Sequence, residues 1–237
     1  MKSISILTLL FVSGVVSASE WGYGEDNGPD KWGRVSKLCM EGKNQSPVNL
    51  GQTVATQTHE LDLDYSGVVT QLFNNGHTLQ AAIEGDNILS IDDKQFILKQ
   101  FHFHTPSENL IRDRSYPLEA HFVHADSEGN LAVVSVMYEI DTENREIGKL
   151  TRALPSEGKR YSLQKPLAVA DMLPDYHSYY RYNGSLTTPP CSEGVRWFVL
   201  ANTQSLSQAQ VKQLNDVMGD NNRPVQSLWA RQVMFSN

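Results

Sequence analysis

From residue 61 onward the apolar positions fall into short segments, alternating with polar ones or running continuously, at 67–73, 78–83, 88–91, 95–103, 119–124 and 131–138. A period of two, or a short apolar run bounded by turn residues, predicts strands. Turn signals separate them: Asn74-Asn75-Gly76, Glu84-Gly85-Asp86-Asn87 and Asp126-Ser127-Glu128-Gly129-Asn130. Neighbours joined by such short turns are expected to pair antiparallel. Two segments break the pattern with helical spacing. At 143–154, Ile147, Leu150 and Leu154 share a face; at 207–218, Val211, Leu214 and Met218 do so, with Ser207 as cap, Gln210 closing a capping box and Gly219 as stop. The predicted fold is mainly β: a single domain with a large, predominantly antiparallel central sheet and a few peripheral helices. Ahead of the strands, Trp21-Gly22-Tyr23-Gly24, Asn27-Gly28-Pro29 and Trp32 read as an ordered arm anchored by its aromatics.

The chain has 237 residues, 40% of them hydrophobic, with no internal repeat or linker, and this supports one core. Lys2, the apolar run 4–16 and Val16-Ser17-Ala18 form the pattern of a signal peptide, so residues 1–18 are expected to be removed and 19–237 to form the mature domain. The run is shorter than the roughly 20 residues a spanning helix needs, so no membrane span is expected after cleavage. The formal charge of −7 and the lack of a basic stripe argue against nucleic acid as a partner. Export also sets the redox setting of the only two cysteines, Cys39 and Cys191, which are expected to pair.

Candidate chemistry centres on Gln100-Phe101-His102-Phe103-His104. Strand alternation aims both imidazoles at one face and both phenyl rings at the other, and two buried imidazoles need partners for every ring nitrogen. A metal satisfies that need. His121 and His124 compete as third ligand, but period-two geometry sends them to opposite faces. His121 shares its face with Glu119, a carboxylate able to orient an imidazole, as Gln100 could orient His102. Three neutral imidazoles leave zinc its full charge and an open position, which makes bound water acidic. A threonine can accept a hydrogen bond from such a nucleophile if its own proton goes to a carboxylate. Thr187, beside Thr188 in the rigid run Gly184-Ser185-Leu186-Thr187-Thr188-Pro189-Pro190, and Glu108 after the ligand strand are the candidates. His77, after a turn, has the ring chemistry to move protons near neutrality.

Together these segments resemble the α-class carbonic anhydrases along nearly the whole mature chain. The motifs are the Trp21 and Asn27 arm segments, Gln45-Ser46-Pro47-Val48-Asn49, Asn74-Asn75-Gly76-His77, the Gln100–His104 run, Glu119 with His121, Ser185–Pro190, a strand bearing Trp197, and Asn222-Arg223-Pro224. Thr105-Pro106 after the histidine pair, the leader and the two cysteines resemble the exported bacterial branch, periplasmic or secreted. The resemblance implies a sheet of about ten strands and hydration of carbon dioxide by water to bicarbonate and a proton, with a possible side activity on esters. It implies zinc on His102, His104 and His121, Gln100 and Glu119 behind them, Thr187 with Glu108 at the nucleophile, and His77 as proton shuttle. Val123, Val133, Leu186, Thr188, Val195 and Trp197 would receive carbon dioxide, while Tyr23, Asn75 and Gln80 would order water. It also implies the Cys39–Cys191 disulfide. No pattern in the chain specifies an oligomeric state. A non-catalytic binding module of the same fold would lack a ligand histidine, and here all three are present.

Overall fold

The computed structural model describes residues 21–56 and 60–236, so the expected leader and its cleavage site lie outside the described residues. The first strands are β1 (Thr53–Thr56), β2 (Asp62–Tyr65), β3 (Val68–Asn74), β4 (Leu79–Glu84), β5 (Asn87–Ile91), β6 (Lys94–His104), β7 (Leu118–Ala125) and β8 (Leu131–Ile140). They are followed by β9 (Arg160–Ala168), β10 (Tyr179–Ser185), β11 (Glu193–Leu200), β12 (Gln204–Leu206) and β13 (Val233–Ser236). Ten of these run side by side in the order β1-β13-β10-β11-β8-β7-β6-β4-β3-β9, with β2, β5 and β12 attached.

Most pairs are antiparallel, as the short turns predicted, but the sheet is mixed: β1 pairs with β13, and β8 with both β11 and β12, in parallel. The reason lies in the route of the chain. After β8 it passes through a helix to the far edge at β9 and returns through β10, so β11 reaches the free edge of β8 already running the same way. A parallel partner requires such a crossover.

The helices are α1 (Leu38–Glu41), α2 (Arg145–Leu150) and α3 (Gln208–Met218). Serine at 207 caps α3 and the reciprocal bond from Gln210 completes the capping box. The segment expected to be helical from 143 begins later, because Asn144 caps it by accepting the N–H groups of Glu146 and Ile147, and it tightens into a 3-10 turn at Thr151–Ala153. Ile147, Leu150 and Leu214 bury their apolar stripes against one face of the sheet.

That face also takes Phe96, Leu98, Phe101, Phe103, Phe122, Val134 and Val136. The ring centroids of Phe101 lie 5.6 Å from Phe103 and 4.9 Å from Phe122; burial of each such ring stabilises by about 1.5–3 kcal/mol. The core residues of β6 change parity along the strand, from even (Phe96, Leu98) to odd (Phe101, Phe103). A bulge at Lys99 causes this: Leu98 pairs with His124 and Gln100 already with Val123, leaving Lys99 over. The opposite face carries a second cluster, with Val133, Met137, Tyr182, Val195, Trp197 and Val199, and His102 and His104 emerge on that side.

Candidate metal centre

Strands β6 and β7 bring the three histidines together. His102 is the register partner of His121, and His104 lies two residues along opposite Glu119. One ring nitrogen of each imidazole falls within 4.8 Å of the others. His104 and His121 are buried and His102 keeps an edge toward the cleft. His124, on the other face, is a core residue: its Nε2 lies 2.5 Å from the Tyr65 hydroxyl and its Nδ1 3.3 Å from the Ala132 carbonyl.

Each of the three rings is oriented from behind, as ligating imidazoles are. His102 Nδ1 donates to Gln100 Oε1 at 2.9 Å and His104 Nδ1 to the Asn221 carbonyl at 2.8 Å, which turns both Nε2 atoms toward the cluster. His121 is reversed: Nε2 lies 2.9 Å from Glu119 Oε1, short but poorly aligned for a hydrogen bond, so Nδ1 faces the centre. Among the described residues buried His104 Nε2 has no hydrogen-bond partner, a costly state for a buried polar atom unless a ligand completes it. Burial lowers the pKa of both His102 and His104, for His102 with further lowering from the neighbouring rings. Neutral nitrogen donors converging from three sides, one of them orphaned, fit a borderline-soft divalent cation such as zinc.

Two buried carboxylates complete the interior. Burial pushes Glu119 up, but the His121 ring and the hydrogen bonds from Ser135 Oγ (2.6 Å) and Asn109 Nδ2 (2.8 Å) outweigh it and hold its pKa at about 2. Its other oxygen accepts the backbone N–H groups of Glu108 and Asn109, at 2.7 and 2.9 Å. Glu119 therefore positions Glu108 as well as His121. Burial raises Glu108 to about 7 despite the His121 ring, the Arg223 N–H and the Thr187 hydroxyl, which all favour its ionised form; a divalent cation at the imidazoles would favour that form further. Glu108 Oε1 accepts the Arg223 N–H at 2.8 Å, and Oε2 stands 3.5 Å from His104 Nε2.

Thr187 is carried by the loop after β10. Ser46 ties down its root: the Ser46 N–H donates to Ser185 Oγ and the Ser185 N–H to Ser46 Oγ, at 2.9 and 3.0 Å. A Cβ on Gly184 would stand 2.0 Å from Ser46 Oγ, so glycine lets β10 and the Ser46 segment approach this closely. Beyond Thr187 the Cys39–Cys191 disulfide fastens the loop to the N-terminal arm.

Val123, Val133, Leu186, Val195 and Trp197 gather in the second cluster, with Val123 opposite Val133 and Val133 opposite Trp197 across neighbouring strands. The Trp197 ring meets His121 at 4.9 Å between centroids, so the apolar wall abuts the ligands. Thr188 follows Thr187 and is half-buried. On the polar side Gln80 is the register partner of His102, and Tyr23 lies in the fields of Glu108 and Arg223. Asn75 Oδ1 is engaged in its own turn, accepting the N–H groups of His77 and Thr78. His77 stacks on Trp21, with centroids 3.8 Å apart and planes at 9°.

The residues without a clear local signal are Asn221, Asn109, Ser135 and the side chain of Arg223. Asn221 receives His104 Nδ1–H on its carbonyl, while its amide donates to the carbonyls of His77 and Phe103.

A buried trio of oriented imidazoles beside an apolar wall could hold a single metal ion next to a small-molecule site. The sequence profile of the eukaryotic-type carbonic anhydrases matches residues 27–237, and the chain belongs to that family. A carbonic anhydrase of Neisseria gonorrhoeae is 42% identical over 221 residues, 91% of this chain and 88% of that one. The solved structure of Photobacterium profundum α-carbonic anhydrase is similar at a TM-score of 0.89 and 51% identity, covering 91% of this chain and all (100%) of that one. The Thermovibrio ammonificans α-carbonic anhydrase, solved with the inhibitor sulfanilamide, follows at 0.88 and 43%, covering 91% and 98%. The protein is thus a carbonic anhydrase-type enzyme, of a family that hydrates carbon dioxide. Among the described residues no helix is long and apolar enough to cross a membrane.

Proposed function

We propose that this protein catalyses zinc-dependent, reversible hydration of carbon dioxide to bicarbonate and a proton. The observation that carries the reading is the convergence of His102 Nε2, His104 Nε2 and His121 Nδ1, with His104 Nε2 buried and unpartnered. These atoms would hold zinc, whose positive charge acidifies water when bound there. Thr187 directs the nucleophile. With its O–H given to Glu108, its oxygen can only accept a hydrogen bond from the water oxygen's remaining proton, which aims that oxygen's lone pair at carbon dioxide. The substrate lies on the wall of Val123, Val133, Leu186, Val195 and Trp197, with Thr188 at its edge. Apolar contact suits a molecule without a dipole, and the charged product leaves it readily. Water ordered by Tyr23, Asn75 and Gln80 carries the surplus proton to the His77 ring, which passes it to buffer.

The same nucleophile would attack an activated ester as a side reaction. The disulfide and the expected leader support export, to the periplasm or beyond. Stopped-flow hydration before and after zinc removal tests the function: activity should vanish with the metal and return on adding zinc. Full activity in metal-free protein would overturn the mechanism, and ester cleavage without hydration would move the protein to the hydrolases.

A further inference from the structure

Arg223 is 2% exposed, and among the described residues its guanidinium binds no carboxylate directly. Instead it donates to Gln45 Oε1 at 2.9 Å, to the Ser46 carbonyl at 2.8 Å and to the Cys39 carbonyl at 2.5 Å, with the Trp32 ring 5.7 Å away. All four partners belong to the N-terminal arm and the segment following it, which Cys39–Cys191 ties to the Thr187 loop. A buried guanidinium is costly and gives a fold little that packed apolar groups would not. The backbone on which it sits suggests what it does. In three residues that segment presents the Asn221 carbonyl to His104 Nδ1–H and the Arg223 N–H to Glu108 Oε1, both at 2.8 Å. The Asn221 amide also holds the His77 carbonyl at 3.0 Å. A carbonyl for a ligand, an N–H for a carboxylate and a grip on the His77 turn thus come from one short stretch without regular secondary structure.

We infer that Arg223 is a positioning residue whose side chain clamps this bracket to the disulfide-tied arm, so that the aim of His104 and Glu108 depends on contacts made outside the cleft. The inference rests on the reading of His102, His104 and His121 as metal ligands. It predicts that loss of the clamp changes the metal environment, through His104, as well as catalysis, through Glu108 and Thr187.

The test uses the full chain loaded with cobalt(II), whose visible absorption reports coordination geometry, and a chelator that times cobalt release. Arg223→Met should alter the visible bands and release cobalt about tenfold faster, the scale on which groups behind a ligand act. Arg223→Lys, which keeps a donor but not the fork, should fall between Met and wild type. Leu167→Ala, a buried change on β9, is the control for lost stability and should leave spectrum and release as in wild type. Wild-type bands and release in Arg223→Met overturn the inference, as does an equal change in Leu167→Ala. If Arg223→Met does not fold, folded Arg223→Lys decides, and wild-type values there overturn it. An inert but cobalt-binding wild type would sink the proposed reaction while leaving this comparison intact.

Discussion

His102 and His121 face each other as register partners across β6 and β7, their ring centroids 5.4 Å apart and their planes at 86°. Two of the three imidazoles are thereby fixed by backbone hydrogen bonding between central strands, and only the ring torsions remain to be set. Gln100 sets that of His102 and Glu119 that of His121, while Asn221 does the same for His104.

Glu119→Gln should therefore weaken zinc binding by about 10–100-fold without unfolding the sheet. Competition against a chromophoric chelator measures it. Unchanged affinity would show that His121 needs no charged partner.

Thr187→Ala should keep full zinc content yet lose on the order of a hundredfold in kcat/KM for hydration, because the nucleophile is no longer aimed. Glu108→Gln acts on the same hydrogen bond, so the double variant should lose little more than either single one. Additive losses would separate the two residues.

His77→Ala should slow turnover by up to about a hundredfold in dilute buffer, with hydration at the metal unaffected, and imidazole should restore it. Kinetics at rising buffer concentration would read this directly; a defect indifferent to buffer would remove His77 from proton transfer.

Burial holds His124 at a pKa of about 3, against 6.5 in the unfolded chain. The unfolded state then binds the proton first as pH falls. His124 contributes its full share of stability above about pH 6.5 and loses it progressively between 6.5 and 3, by an amount on the order of a few kcal/mol. Glu119, also depressed, has its own window lower down, from 4.5 toward about 2. Urea titrations from pH 7 to 5 should show the decline in wild type and a flatter line in His124→Phe; parallel slopes would assign it elsewhere.

Replacing both cysteines with serine should cost about 2–5 kcal/mol, since the closed loop spans 152 residues. Denaturant melts under oxidising conditions measure it.

The histidine pair, the choice of His121 over His124, both helices and six strands were legible because each follows from local alternation or capping. The bracket at 221–223 was not. Its bonds to His104 and Glu108 use a backbone carbonyl and a backbone N–H, which leave no trace in side-chain identity, across more than a hundred residues of chain. Strand β9, with lysine, arginine and proline on an exposed edge, lacks the apolar phase that marked β7 and β8. The parallel pairings were hidden for a different reason: the direction of a strand depends on the path between elements, not on the residues within them.

The bulge at Lys99 decides which side of the sheet the ligand strand shows to the cleft. Every residue of β6 before it counts in one frame and every residue after it in the other. If Lys99 instead took a place in the pairing, strict alternation would send His102 and His104 into the core and Phe101 and Phe103 into the cleft; deleting this exposed lysine, which leaves Leu98 and Gln100 as successive partners of His124 and Val123, or changing it to another residue would keep both histidines on the cleft side. The side on which the histidines emerge depends at that position on the residue standing outside the register rather than on its being lysine.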